Sequence, residues 1–215
     1  MNGAADGLHV CRKPLPTRPT HVRCRTGGAP VVDMHCHFLV AEAEAIVAAL
    51  PDRPAPPIAA SEAATETARY NAELIRTTYR PALTDVATRL ADMDAMGVDI
   101  QAISPSPTQY HYGVSAEAGG AIVTCINERI ASLCADHSSR FVGLGSVSLQ
   151  HPNLAREQLR HAVRKLGLRG VEISTMANGV SIDDRRFDNF WAEAEQLGAV
   201  VLLHPLGTTA GIASR

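Results

Sequence analysis

The sequence predicts an α/β fold, a TIM (β/α)8 barrel carried through its fifth strand and truncated there. Three observations predict it. From residue 85 onward one unit recurs: an amphipathic helix, a glycine, then a short apolar strand. Strands alternating with helices of ten or more residues imply parallel pairing through right-handed crossovers. The first and last apolar runs, Val31-Val32-Asp33-Met34-His35-Cys36-His37 and Ala199-Val200-Val201-Leu202-Leu203-His204-Pro205, both end on histidine. A complete barrel takes roughly 250 residues, and this chain supplies five of its eight strands. An open doubly wound sheet is the alternative, but no GxGxxG fingerprint follows any strand.

The first strand is the run from Val31. The first regular helix spans Asp85 to Met96, with Val86, Leu90 and Met93 on one face; Gly97 ends it and Val98 to Ser104 reads as a strand. A second helix covers Ser115 to His137, with Ile122, Ile126, Ile130 and Leu133 at helical spacing, before the strand Phe141 to Val147. The third helix, Pro152 to Leu166, has proline in its first turn and Gly167 just past its end, ahead of the strand Gly170 to Ser174. The fourth, Phe187 to Leu197, stops at Gly198 and leads into the strand that delivers His204.

The first crossover departs from this rhythm. About 47 residues separate His37 from Asp85, where strand-to-helix connections are normally short. This insertion, residues 38–84, contains the proline-rich break Pro51 to Pro57 and a helix expected from Ser61 to Thr77. Insertions after barrel strands sit on the catalytic face, so a lid or pocket role competes with an oligomer contact.

Composition narrows the function classes. At 215 residues the chain can bury one sizeable core. Residues 1–30 carry five basic residues against Asp6 alone and read as a disordered leader, leaving 31–215 as the folded unit without a basic stripe. An aromatic content of only 4% argues against a nucleic-acid stacking surface. No apolar stretch approaches the roughly 20 residues of a membrane helix. Five cysteines without a CxxC pair oppose a disulfide framework and favour a reducing, cytoplasmic setting.

Residues two apart on a strand share a face, so His35 and His37 present two imidazoles to one point. His204 ends the fifth strand, and barrel strands open their C-terminal ends on one face. Imidazole suits zinc and similar divalent ions, and catalytic zinc keeps three protein ligands plus water. Satisfied polar core histidines are the alternative. Asp33 shares the parity of the two histidines and is expected either to orient a ligand or to bond nearby backbone. Cys36, of opposite parity, is expected to pack into the helix layer. His111, between Tyr110 and Tyr112 after the second strand, is a candidate pocket contact.

The segment Arg89 to Asp99 resembles the amidohydrolase-2 family, the group of the aminocarboxymuconate-semialdehyde, resorcylate and carboxyvanillate decarboxylases. Phe141-Val142-Gly143-Leu144-Gly145, Gly170-Val171-Glu172-Ile173 and Asp188 to Glu195 leading to Leu203-His204-Pro205 match in step. The resemblance spans about residues 31–207. It implies a metal-dependent hydrolase-type barrel that decarboxylates aromatic or unsaturated carboxylic acids, with zinc or manganese; a small carboxylic-acid substrate and a homo-oligomer are expected as partners. It assigns metal ligation to His35, His37 and His204, and Arg80 lies closest to the arginine that binds substrate carboxylate in the semialdehyde decarboxylases, with a solvated arginine as the alternative. The family's catalytic histidine after strand 6 and its aspartate ligand after strand 8 are expected beyond Arg215. Hydrolysis of a lactone or amide, and an inactive fragment, are the competing readings; little activity and some self-association are expected of the 215 residues alone.

Overall fold

The structure, a computed structural model, describes residues 28–51 and 66–205. Most of the expected leader, most of the proline-rich break and the first turn of the helix expected from Ser61 lie outside the described residues. Five parallel strands, β1 (Val32–Phe38), β2 (Ile100–Pro105), β3 (Phe141–Gly145), β4 (Gly170–Ser174) and β7 (Val200–His204), form one sheet in the order β1-β2-β3-β4-β7. The sheet curls into a half-barrel. A small antiparallel ribbon, β5 (Met176–Ala177) and β6 (Val180–Ser181), sits beyond β4.

Helices α1 (Ala41–Ala48), α2 (Glu66–Leu74), α3 (Arg80–Thr84), α4 (Val86–Met96), α5 (Ala116–Asp136), α6 (Pro152–Arg164) and α7 (Asp188–Leu197) make the crossovers. A π-helical turn, Ile75–Tyr79, joins α2 to α3. Local chemistry sets several ends. The Asp85 carboxylate accepts the Thr88 amide at 2.6 Å to start α4, and Gly97 closes it at φ 71°, a left-handed conformation that costs glycine little. Ser115 caps α5 by accepting the Ala118 amide at 3.2 Å.

The core lies between the outer face of the sheet and the helices. Phe38, Ile103 and Phe141 from the strands meet Met93 of α4 and Ile122, Ile126 and Ile130 of α5. A second cluster joins Val171 and Ile173 to Leu159, Phe187 and Phe190. Gly170 is required where β4 meets β7, because a Cβ there would stand 1.8 Å from the Val200 carbonyl oxygen. That close approach lets Val200 donate to the Arg169 carbonyl at 2.9 Å and sets the register that pairs Ser174 with His204.

Several elements differ from the sequence reading. The third strand stops at Gly145 rather than Val147, although Ser146 to Leu149 remain buried. Helix α1 lies in the part of the insertion to which the sequence reading assigned no element: Ala41 to Ala48 alternates alanine with Glu42 and Glu44, so its apolar face is thin and only Ala43 is buried. The ribbon β5–β6 is too short for periodicity to reveal. Among the described residues, no helix is long and apolar enough to cross a membrane. Among the same residues, β1 and β7 each lack a strand on their outer side, and Val32, Met34, Val200 and Leu203 are exposed along them.

Candidate metal centre

A β-bulge shapes the first strand. Asp33 pairs with Gln101 and Cys36 with Ile103, so three steps along β1 match two along β2. The extra residue reverses the parity that the sequence alone suggests. Asp33 therefore does not join the two histidines. Its carboxylate accepts the His35 amide at 3.3 Å and the Gln101 side chain at 3.4 Å, which is the backbone-bonding alternative. Beyond the bulge, Cys36 is buried in the helix-side core and burial raises its thiol pKa.

His35 and His37 converge across the bulge, with their Nε2 atoms 3.0 Å apart. The His204 ring completes a triangle, its centroid 5.0 Å from each of the other two. One ring nitrogen from each of the three lies within 4.8 Å of the others. Zn–N bonds of 2.0–2.1 Å place two ligand nitrogens at most about 4.2 Å apart. Tetrahedral ligation sets such nitrogens about 3.4 Å apart, so ring shifts on the order of an ångström bring the set onto one ion.

The surroundings of His37 favour the ligand form. Its Nδ1 faces the Pro105 carbonyl at 3.2 Å, the Ser104 hydroxyl at 3.5 Å and a Glu172 oxygen at 3.7 Å. Burial lowers its pKa, while the Glu172 charge pulls the other way. A neutral imidazole is the form that binds metal.

Beneath the triad lies a polar layer that sequence reasoning did not assign. Glu172 is fully buried in β4, and its carboxylate accepts hydrogen bonds from Ser104 at 2.6 Å and from the Tyr110 hydroxyl. Tyr110 stacks on Tyr112, centroids 5.4 Å apart, and the Tyr112 hydroxyl accepts the Ser174 amide at 3.2 Å. Burial raises both phenol pKa values. One signal was available: Glu172 is the only charged residue in a five-residue strand buried throughout.

On the helix side, the buried Arg89 donates to Gln101 at 2.9 Å, to the Ala82 carbonyl at 2.8 Å and to the His37 carbonyl. One guanidinium thus ties the second histidine to the end of the insertion. The insertion returns to the C-terminal end of the sheet, where Leu39 donates to the Leu83 carbonyl at 2.9 Å. Arg80 is exposed at the start of α3 on that side, and its charge acts on Glu44. His111 is 8% exposed at φ 44°, with Nε2 3.9 Å from Glu44. His111 and Gln109 hold the Glu44 carboxyl below its ordinary range. The structure therefore pairs His111 with α1.

Known proteins share this arrangement of strands. The chain is 31% identical over 121 residues to 2-amino-3-carboxymuconate-6-semialdehyde decarboxylase of Dictyostelium discoideum, covering 56% of this chain and 34% of the relative. It is 29% identical over 126 residues to gamma-resorcylate decarboxylase of Rhodococcus jostii, covering 54% and 38%. The fold matches 5-carboxyvanillate decarboxylase of Novosphingobium aromaticivorans, solved with manganese, at a TM-score of 0.68 and 23% identity, over 83% of this chain and 51% of that one. It matches 2,6-dihydroxybenzoate decarboxylase from Rhizobium at 0.64 and 23%, over 87% and 53%. The chain thus spans about a third of the length of these curated relatives and about half of the solved chains. The sequence profile of the amidohydrolase family matches residues 32–213, and the chain belongs to that family.

Proposed function

We propose that this chain carries the first three metal ligands of a metal-dependent decarboxylase acting on an aromatic or unsaturated carboxylic acid. The observation that carries the reading is the convergence of His35, His37 and His204 at the C-terminal ends of β1 and β7. The names of the relatives support the reaction class. His35, His37 and His204 would hold a divalent cation, which when bound supplies Lewis-acid stabilisation of a substrate oxygen. Three neutral nitrogen donors suit zinc, and manganese, present in the carboxyvanillate decarboxylase structure, is the alternative.

The chain's own residues then have separable tasks. Arg80, at the C-terminal side of the sheet, receives the substrate carboxylate, for which a guanidinium fork is the matching donor. Arg89 holds the backbone beneath His37, and Glu172 with Ser104 and Tyr110 closes the floor under the triad. An odd number of cysteines without a CxxC pair favours a reducing compartment.

The test is an assay of a complete, zinc- or manganese-loaded enzyme containing these residues against 2,6-dihydroxybenzoate, 5-carboxyvanillate, 2-amino-3-carboxymuconate-6-semialdehyde and a panel of lactones and amides, following CO2 release and hydrolysis. Release of CO2 that depends on the metal supports the reading. Hydrolysis of lactones or amides without CO2 release would replace it with metal-dependent hydrolysis.

A further inference from the structure

Glu172 is 0% exposed. A buried carboxylate is costly unless it is paired and hydrogen-bonded. Among the described residues its only ion-pair neighbour is His37, and its two hydrogen-bond donors are the hydroxyls of Ser104 and Tyr110. An apolar residue would fill this strand position at lower cost, so the location of the carboxylate calls for a reason.

The reason lies in which ring nitrogen of His37 carries the proton. Around Nδ1 stand three oxygens: Pro105 O at 3.2 Å, Ser104 Oγ at 3.5 Å and Glu172 Oε2 at 3.7 Å. The Ser104 hydroxyl spends its one hydrogen on Glu172 at 2.6 Å, so its lone pairs are left to accept from Nδ1. With the hydroxyl aimed away, every group facing Nδ1 is an acceptor. The tautomer with hydrogen on Nδ1 is favoured, and the Nε2 lone pair is left facing His35, 3.0 Å away. The Cys36 carbonyl, at 3.5 Å from the Ser104 hydroxyl, is the weaker second acceptor; without the Glu172 carboxylate, Ser104 is free to turn and donate to Nδ1, which would place the ring hydrogen on Nε2.

We propose that Glu172 is a positioning residue that, through Ser104, holds His37 with Nδ1 as donor and Nε2 turned to His35 and His204. The proposal rests on reading the three imidazoles as a metal centre. It assigns Glu172 a role on the opposite side of the ring from the ion, with no contact to substrate.

Two readouts on the 215-residue chain test it, with Co2+ and Zn2+ as the probes. Nitrogen-15 NMR of the metal-free protein should show the His37 ring in the Nδ1–H tautomer. Glu172→Gln, whose amide can donate toward Ser104, should shift the ring toward Nε2–H. The same variant should bind Zn2+ roughly 10- to 100-fold more weakly, the effect typical of losing a group that orients a ligand, and should alter the visible bands of bound Co2+. Ser104→Ala in the Glu172→Gln background, which removes the only hydroxyl able to donate to Nδ1 and leaves the Pro105 oxygen facing it, should restore the Nδ1–H ring; Glu172→Met, which likewise releases the Ser104 hydroxyl, carries the test if Glu172→Gln does not fold. An unchanged tautomer together with unchanged affinity in a folded variant that lacks only the Glu172 carboxylate would overturn the proposal, as would a wild-type ring in the Nε2–H form. Failure of the wild type to bind either ion would overturn the metal-centre reading instead, while the metal-free NMR comparison still decides whether Glu172 sets the tautomer.

Discussion

His35 and His37 face each other with their Nε2 atoms 3.0 Å apart, just past a bulge that turns Asp33 to the other side of the same strand. Two imidazole nitrogens at that distance repel as bare lone pairs. A shared proton or a shared cation relieves the contact, and His204 closes the third side.

Metal binding should therefore depend on all three rings and on pH. Replacing His37 or His204 with Ala should abolish stoichiometric Zn2+ uptake, measured by metal analysis after dialysis. Affinity should fall steeply as the pH drops below about 6.5, the ordinary histidine value, since protons compete for the same nitrogens. Burial depresses the His37 pKa in the fold. Its contribution to stability is thus present above the unfolded-state pKa and is lost as pH falls through the folded one. His37→Gln should flatten this part of the pH–stability curve, as urea titrations across pH 5–7 would show.

Gly170→Ala should separate β7 from β4. A methyl 1.8 Å from the Val200 oxygen cannot be accommodated without moving backbone. The expected cost is about 3 kcal/mol, at the upper end of overpacking changes. Because the same pairing positions His204 opposite Ser174, Zn2+ affinity should drop in the variant even where it remains folded. Retained affinity with native stability would show that β7 does not depend on this contact.

In a complete enzyme, Arg80→Ala should raise KM roughly tenfold for a carboxylate substrate and leave kcat nearly unchanged, the pattern of uniform binding loss. Steady-state CO2 release checks it. An equal fall in kcat would place the guanidinium in the transition state instead.

The exposed rims of β1 and β7 should drive association of the 215-residue chain. Val32, Met34, Val200 and Leu203 are exposed along strands that have free hydrogen-bonding edges among the described residues. Sedimentation should reveal species larger than a monomer. Val200→Lys combined with Leu203→Lys should weaken association by roughly tenfold or more, since inserted charges on an edge oppose pairing.

Much of the architecture was legible along the chain because it is written in local terms. Apolar spacing on α5, the Asp85 and Ser115 caps, and glycines at helix ends depend on neighbours within a turn or two. The histidines at the ends of β1 and β7 were legible for the same reason, as each closes a short apolar run. The site around them was decided only by tertiary structure. The bulge that reverses Asp33 exists only in the pairing of β1 with β2, 68 residues apart at Asp33 and Gln101. Glu172 reads in sequence as one acid in an apolar strand; its bonds to Ser104 and Tyr110 span 68 and 62 residues. His111 meets Glu44 because α1 folds over the loop after β2. Sequence periodicity carries the preference of a residue for a face, whereas these contacts depend on register and crossover path, which arise only when distant strands align.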